Sequence, residues 1–329
     1  LCKLDGGREG AWPTWRLKTR IDLPEILYID KWIRVRLHFV FRNLAACSAM
    51  LHDSRKKMRP AACRERDKKR SGWMPVNYVD FQTAKDADGL RMVVVTGVPS
   101  PWGEAAKGIL HVKQIPWLAV KLDQANSALT EWSGERTGPV AVYNDEKPRA
   151  GWAEILLLAE RLSPTPALLP ADAAERALVL GLSHEICGEG GLGWMRRLQG
   201  VHAGLNGQPG FPAGIAEYLG NKYGYRAEEG DAIQGRVIGL LNMLSSRLDA
   251  QKQEGNRFLV GSSLTAADIY FAAFIALFKP LPPDQCPLPD AMRPGFEAMD
   301  DDTAKALDSS LLEHRDFIYN EYLELPLTL

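Results

Sequence analysis

The sequence has little cysteine: five residues in 329, with no Cys-x-x-Cys pair and no regular spacing. That argues against a disulfide framework and against a zinc site of the common spacings, and it fits a reducing compartment. Long apolar runs are also missing. The longest, around Ala266–Phe278, contains Asp268 and falls short of the roughly 20 residues a membrane-crossing helix needs, so no membrane span is expected. Charges interrupt every apolar run before Ile33. No signal peptide is therefore expected, and the body reads as cytoplasmic. Histidine is sparse: His111, His184, His202 and His314 are scattered without ligand spacing. His184 and Cys187, one helical turn apart, make at most half a site, so no metal is expected. The glycine-rich stretch Gly188–Gly193 follows a helical pattern instead of a strand, which makes it a helix break and not a nucleotide loop.

What is present is ordinary globular composition, 46% hydrophobic and 25% charged, at a length suited to two domains. Disorder throughout and a collagen-like chain are excluded. The net charge of −1 hides a break. Residues 1–73 hold 18 Lys and Arg against 8 Asp and Glu, leaving 22 against 33 for residues 74–329. In the basic part, Ile33, Val35, Leu37, Phe39 and Phe41 alternate with Arg34, Arg36 and His38, a strand pattern. The run from Arg55 to Arg70 is dense in cations, suited to nucleic acid or an anionic surface, or to no partner at all. The composition changes at Met74-Pro75. Residues 1–73 are therefore read as a basic extension outside the fold, disordered or foreign to it, and no nucleic-acid partner is expected.

Residues 74–162 read as a compact α/β unit. Leu90–Thr96 is a β-branched run, a buried strand. Ser100-Pro101 then places an N-cap residue before proline at the first helical position, opening a helix through Val112. A second strand covers Ile115–Val120, and Asn126–Trp132 is weakly helical. A third strand covers Pro139–Tyr143, followed by a turn and a fourth short strand. Gly151–Leu162 closes the unit as an amphipathic helix. Strand, helix, parallel strand is a right-handed crossover by default. Three prolines in Ser163–Pro170 mark a linker, assigned to 163–172. Beyond it, residues 173–329 read as all helical. Ala173–Cys187 is a long helix, Ala213–Gly220 a short one, and Asp231–Gln253 has apolar positions three and four apart. Thr265–Phe278 is apolar nearly all round, hence a central buried helix. Thr265 with Asp268 three residues on is a variant capping box with a structural role. Thr303–Leu325 supplies a last helix or two.

An α/β unit, a proline-rich linker and an all-helical part together resemble the soluble glutathione S-transferase superfamily. Val98–Trp102 resembles its active-site turn, and Gly138-Pro139-Val140 its loop before the third strand. Leu169–Ala177 is similar to its linker and second-domain start, and Leu259–Ile269 to its buried capped helix. The resemblance covers about residues 90–325. It implies a thioredoxin-like domain followed by an all-α helical bundle, and glutathione as co-substrate. It further implies an electrophilic small molecule in the interdomain cleft and a homodimer. Ser100 would stabilise the thiolate; its alternative role is only to cap the helix. Gly138, Pro139 and Val140 would pair with the glutathione backbone across a cis proline, the alternative being a trans turn. The resembled proteins open the next helix with an acidic residue or Gln followed by Ser or Thr, which hold the γ-glutamyl end. Here Ala150 and Gly151 stand at that pair and bring only backbone, with Lys147 and Arg149 nearby as charge. Glu154 is either a shifted substitute or an exposed helix residue. Trp102 lines the acceptor pocket or simply packs. The function implied is a glutathione-dependent transferase. The alternative is a noncatalytic binding module on the same scaffold.

Overall fold

The computed structural model describes residues 76–289 and 292–329. The strand expected at Ile33–Phe41, the cationic run Arg55–Arg70 and the Met74-Pro75 junction lie outside these residues. The sheet has four strands: β1 (Tyr78–Val79), β2 (Leu90–Val94), β3 (Trp117–Lys121) and β4 (Val140–Tyr143). Their spatial order is β1-β3-β2-β4. β3 is parallel to both β1 and β2, and β4 is antiparallel to β2. Every residue of β2 is buried, as expected for a central strand covered on both faces. The expected fourth short strand is one bridge, Arg149 to Ala141.

Three helices interleave with these strands and a fourth follows β4: α1 (Phe81–Asp86), α2 (Pro101–Val112), α3 (Ser127–Ser133) and α4 (Trp152–Leu162). The capping signals act where local chemistry predicts. Asp80 and Asn126 accept from the backbone N–H groups of Thr83 and Leu129, satisfying donors that a helix start leaves unpaired. β1 and α1 were not anticipated. A two-residue edge strand has no periodicity to read, and only its pairing with β3 defines it.

After the linker come α5 (Ala173–Cys187), α6 (Leu192–Leu205), α7 (Ala213–Tyr223), α8 (Gly230–Gln253), α9 (Ala266–Ile275), α10 (Arg293–Glu297), α11 (Asp301–Ala306) and α12 (Ser309–Tyr322). The architecture is thus a thioredoxin-like unit followed by an all-helical one. The helix starting at Ala173 ends at Cys187, and Gly188–Gly191 separates it from α6. α9 is buried along its whole length. It packs on α2, α5 and α12 and so links the sheet unit to the bundle. Burying Phe271, Phe274 and Ile275 stabilises the fold by about 1.5–3 kcal/mol each. One continuous core runs from Met92 and Ile109 of the sheet unit through Phe271 to Ile318 of α12.

The segment beyond α12 ties the two units together. Leu323, Leu325, Leu327 and Leu329 are buried, while Pro326 and Thr328 between them are exposed. This is a two-residue period with one face inward. Leu327 N–H donates to Gln285 O, and Leu329 N–H to Glu104 Oε1 on α2.

Candidate functional site

The site is built on the connection from β2 to α2. β2 runs out at Val94, and Gly97, at φ +83°, turns the chain in a conformation that favours glycine. Ser100 follows in extended geometry at the N-cap of α2, with Pro101 at the first helical position. Its hydroxyl makes no cap hydrogen bond, and the residue is half-buried. Pro101 has no N–H, and the Glu104 N–H is taken by Ser100 O at 2.8 Å. The Trp102 and Gly103 N–H groups thus stand at the open end of the helix, where the partial positive charge of its dipole lies.

The antiparallel register of β2 with β4 pairs Val93 with Val140, which brings the loop before β4 against the chain leading to Ser100. The Gly138-Pro139 bond is cis. A Cβ on Gly138 would stand 3.1 Å from Val93 O and 3.3 Å from Val95 N. A side chain here would need the facing backbone to give by a few tenths of an ångström. The sheet therefore places Ser100, Gly138, Pro139 and Val140 at one end of β2 and β4.

Ala150 and Gly151 follow the Arg149 bridge and start α4. Gly151 is its N-cap. The Gly151 N–H donates to Glu154 Oε2 at 3.2 Å, so Glu154 folds back over the helix start while remaining exposed. Arg149 is engaged elsewhere: it donates to Glu146 Oε2 at 2.6 Å, and Arg161 donates to the same carboxylate. Bonds from Arg161 and then Arg149 hold that carboxyl below its ordinary range. The start of α4 therefore offers backbone N–H groups and no free side-chain cation from Arg149.

Trp102 faces away from the sheet. Its indole N–H donates to Cys187 O at 2.9 Å. Its ring meets Phe274 edge-on, centroids 4.8 Å apart, and stacks on Tyr223 at 6.3 Å. A Cβ on Gly193 would fall 2.2 Å from the Phe274 ring, so the glycine that starts α6 makes room for this cluster. Trp102 thus binds α2 to α5, α7 and α9. On α7, Lys222 Nζ donates to Thr137 Oγ1 at 3.0 Å, one residue before Gly138.

A small cleft adjoins the turn, lined among others by Pro99, Pro101, Glu104, Cys286, Phe296 and Tyr319. It encloses about 20 Å³, room for a water molecule. Leu327 also lines it, and Leu329 Cδ1 lies 3.2 Å from where a Gly103 Cβ would be. The segment after α12 therefore flanks the first turn of α2 without engaging the Ser100 hydroxyl. Glu104 and Lys107 form a buried pair there, Nζ to Oε2 at 2.6 Å. The contact lies off hydrogen-bond direction, so it is an ion pair by proximity, and Lys107 neutralises a carboxylate one turn from Ser100.

The two described cysteines are not poised as nucleophiles. The Cys187 thiol donates to Ser183 O, and burial pushes its pKa well up. Burial also raises Cys286, with Arg293 opposing and Glu104 adding to the shift. Among the described residues, no three His, Cys, Asp or Glu side chains gather as a metal site. No described helix is long and apolar enough to cross a membrane.

No protein-family model matches the sequence, and no curated protein matches it. Solved structures do. The β-etherase LigF from Sphingobium sp. strain SYK-6 is 16% identical over 70% of this chain and 95% of its own, with a TM-score of 0.49. A glutathione transferase family member from Pseudomonas fluorescens pf-5, with two glutathione bound, is 16% identical over 72% and 91%, with a TM-score of 0.49. A glutathione S-transferase from Methylobacterium radiotolerans, in complex with glutathione sulfonate, is 18% identical over 73% and 97%, with a TM-score of 0.47. The fold that the chain's own described elements define is a thioredoxin-like sheet unit followed by an all-helical one. No residue's role is taken from these likenesses.

Proposed function

We propose that the protein is a glutathione-dependent transferase in which Ser100 stabilises the thiolate for attack on an electrophilic small molecule. The observation that carries this reading is the uncommitted Ser100 hydroxyl at the start of α2. A serine that only capped the helix would accept, at its side-chain oxygen, a hydrogen bond from the second or third helical N–H. Free thiols ionise near pH ~8.5. A hydroxyl donating to sulfur, together with the positive end of a twelve-residue helix, lowers that value. The Glu104–Lys107 pair keeps the first turn from opposing the anion. Gly138, Pro139 and Val140 would hold the peptide part, and the N–H groups of the α4 start, next to Ala150 and Gly151, its acidic end. Thiolate attack on an electrophilic carbon expels the leaving group with its electron pair, and the thiol proton goes to solvent. Trp102 would bound the acceptor side. A cytoplasmic location and homodimerisation belong to the same proposal.

A second reading, a noncatalytic module on this scaffold, is favoured by one observation. Glu154 occupies the Gly151 N–H, and neither Ala150 nor Gly151 brings a side chain to a γ-glutamyl group. Two measurements separate the readings: retention on immobilised glutathione with release by free ligand, and turnover of a generic aryl halide by wild type and Ser100→Ala. Turnover falling about 100-fold in Ser100→Ala supports the transferase. Equal turnover removes Ser100 from the mechanism. Neither retention nor turnover leaves the module.

A further inference from the structure

Among the described residues, Arg197 of α6 is a cation without an acid. Its guanidinium carbon lies 5.8 Å from the Phe211 ring centre and 6.0 Å from that of Phe296. It is half-buried, and among the described residues no hydrogen bond or ion pair engages it. The preceding residue deepens the imbalance. Arg196 is buried and donates to Gln199 Oε1 and to the carbonyls of Phe296 and Ala298, all neutral acceptors. The acid that acts on Arg196 from a distance, Asp300, is itself covered by Gln199, Gln234 and Thr303. Burial draws Arg196 down to about 10 and lowers Arg197 as well, yet guanidinium groups stay charged at neutral pH. Two adjacent positive charges thus meet no bonded carboxylate, whereas cations this enclosed are normally paired.

The place of this charge makes it informative. Phe296 lines the same cleft as Pro99 and Pro101, the two neighbours of Ser100. Tyr223 stacks on Trp102, and the charge of Arg197 opposes the burial that raises the Tyr223 phenol. Arg197 is thus joined through Phe296 to the cleft that adjoins the α2 turn. The flanking rings hold the guanidinium plane by cation–π contact, which suits it to take a carboxylate through two parallel hydrogen bonds.

We propose that Arg197 selects an electrophile that carries a carboxylate on an aromatic frame, the acid pairing with the guanidinium and the ring lying against Phe211 and Phe296. This rests on the transferase reading for the reaction, but not for the binding. The probe is 4-chloro-3-nitrobenzoate against its uncharged amide, 4-chloro-3-nitrobenzamide. With glutathione, the sulfur–carbon bond forms, chloride leaves with its electron pair, and the thiol proton goes to buffer. Affinities of both compounds are measured by calorimetry without glutathione, and kcat/KM with it, for wild type, Arg197→Met and Arg197→Lys.

Wild type is expected to bind the acid at least about tenfold more tightly than the amide, as a charged hydrogen-bonded contact allows. Arg197→Met should bring that ratio close to one. Arg197→Lys should fall between, because lysine keeps the charge and loses the fork. Equal affinity of wild type for acid and amide overturns the proposal without any variant. A preference that survives in Arg197→Met overturns it too. Acid-selective binding with no turnover of either compound sinks the transferase reading and leaves the carboxylate site standing. Turnover of both with no acid preference does the reverse.

Discussion

Two helix starts in this molecule use the same residue chemistry to opposite ends. At α9, both oxygens of the Asp268 carboxylate are spent. Asp268 Oδ2 takes the Thr265 N–H and hydroxyl, each at 2.9 Å. Its Oδ1 takes the Leu259 N–H at 2.8 Å and faces His314 Nε2 at 3.0 Å. The aspartate is fully buried. At α2, Ser100 caps by position only, half-buried and with its hydroxyl unbonded. A buried helix start must satisfy its donors internally, since an unpaired group there costs about 1–3 kcal/mol. A start at the edge of a cleft can leave a donor free for a ligand. The contrast separates a residue held for stability from one available for chemistry.

Asp268→Ala tests the first half of that contrast most severely. It strands four polar groups in the core and is expected to cost about 4 kcal/mol, with the melting temperature falling by about 8–16 °C. A fall of under about 3 °C would show that the network is dispensable. Ser100→Ala tests the other half: stability should change by less than about 0.5 kcal/mol, because no cap bond is lost, while turnover drops about 100-fold. If that variant instead melts like the Asp268 one and keeps its rate, the two starts do not differ in kind.

The alkaline limb sharpens the comparison through groups packed near α9. Burial lifts Tyr270 and Tyr319 well above the ordinary 10.0, and Cys187 well above 9.0. These groups keep their protons in the native state at pH values where the unfolded chain gives them up. The stability they contribute is fully present below pH ~8 and is lost as pH rises through the unfolded values, about 2 kcal/mol between pH 8 and pH 10. Denaturant titrations at those two pH values check it; stability rising with pH would contradict the burial. A loss smaller than that alkaline one is expected for Trp102→Phe. It loses the bond to Cys187 O and keeps most of the ring contact, for about 1 kcal/mol. Unchanged stability would make Trp102 a lining residue more than a structural bolt.

Much of the helical part is legible in the sequence. The Asp231–Gln253 periodicity, the Thr265–Asp268 box and the glycine break after Cys187 are local signals, and each sits in the structure where its residues place it. The strand at Leu90 and the helix at Pro101 were legible for the same reason. The two-residue β1 and the short α10 gave no period to read. The alternating leucines after α12 carry a strand-like pattern but pair with no strand; they bury against α2 and the core instead. Arg197 was invisible as well. An arginine on a helix reads as a solvated residue until Phe211 and Phe296 are seen beside it.

By itself, the sequence determined where helices begin and end, which faces are apolar, and the order of an α/β unit before a helical one. These depend on residues within a few positions of one another. Only the tertiary structure decided that Gly138 lies against Val93, that Ser100 keeps a free hydroxyl while Glu104 is paired, and that Arg197 meets two rings and, among the described residues, no acid. Those facts join residues distant along the chain. Whether a buried charge or donor is satisfied depends on what the folded chain brings within about 3 Å of it.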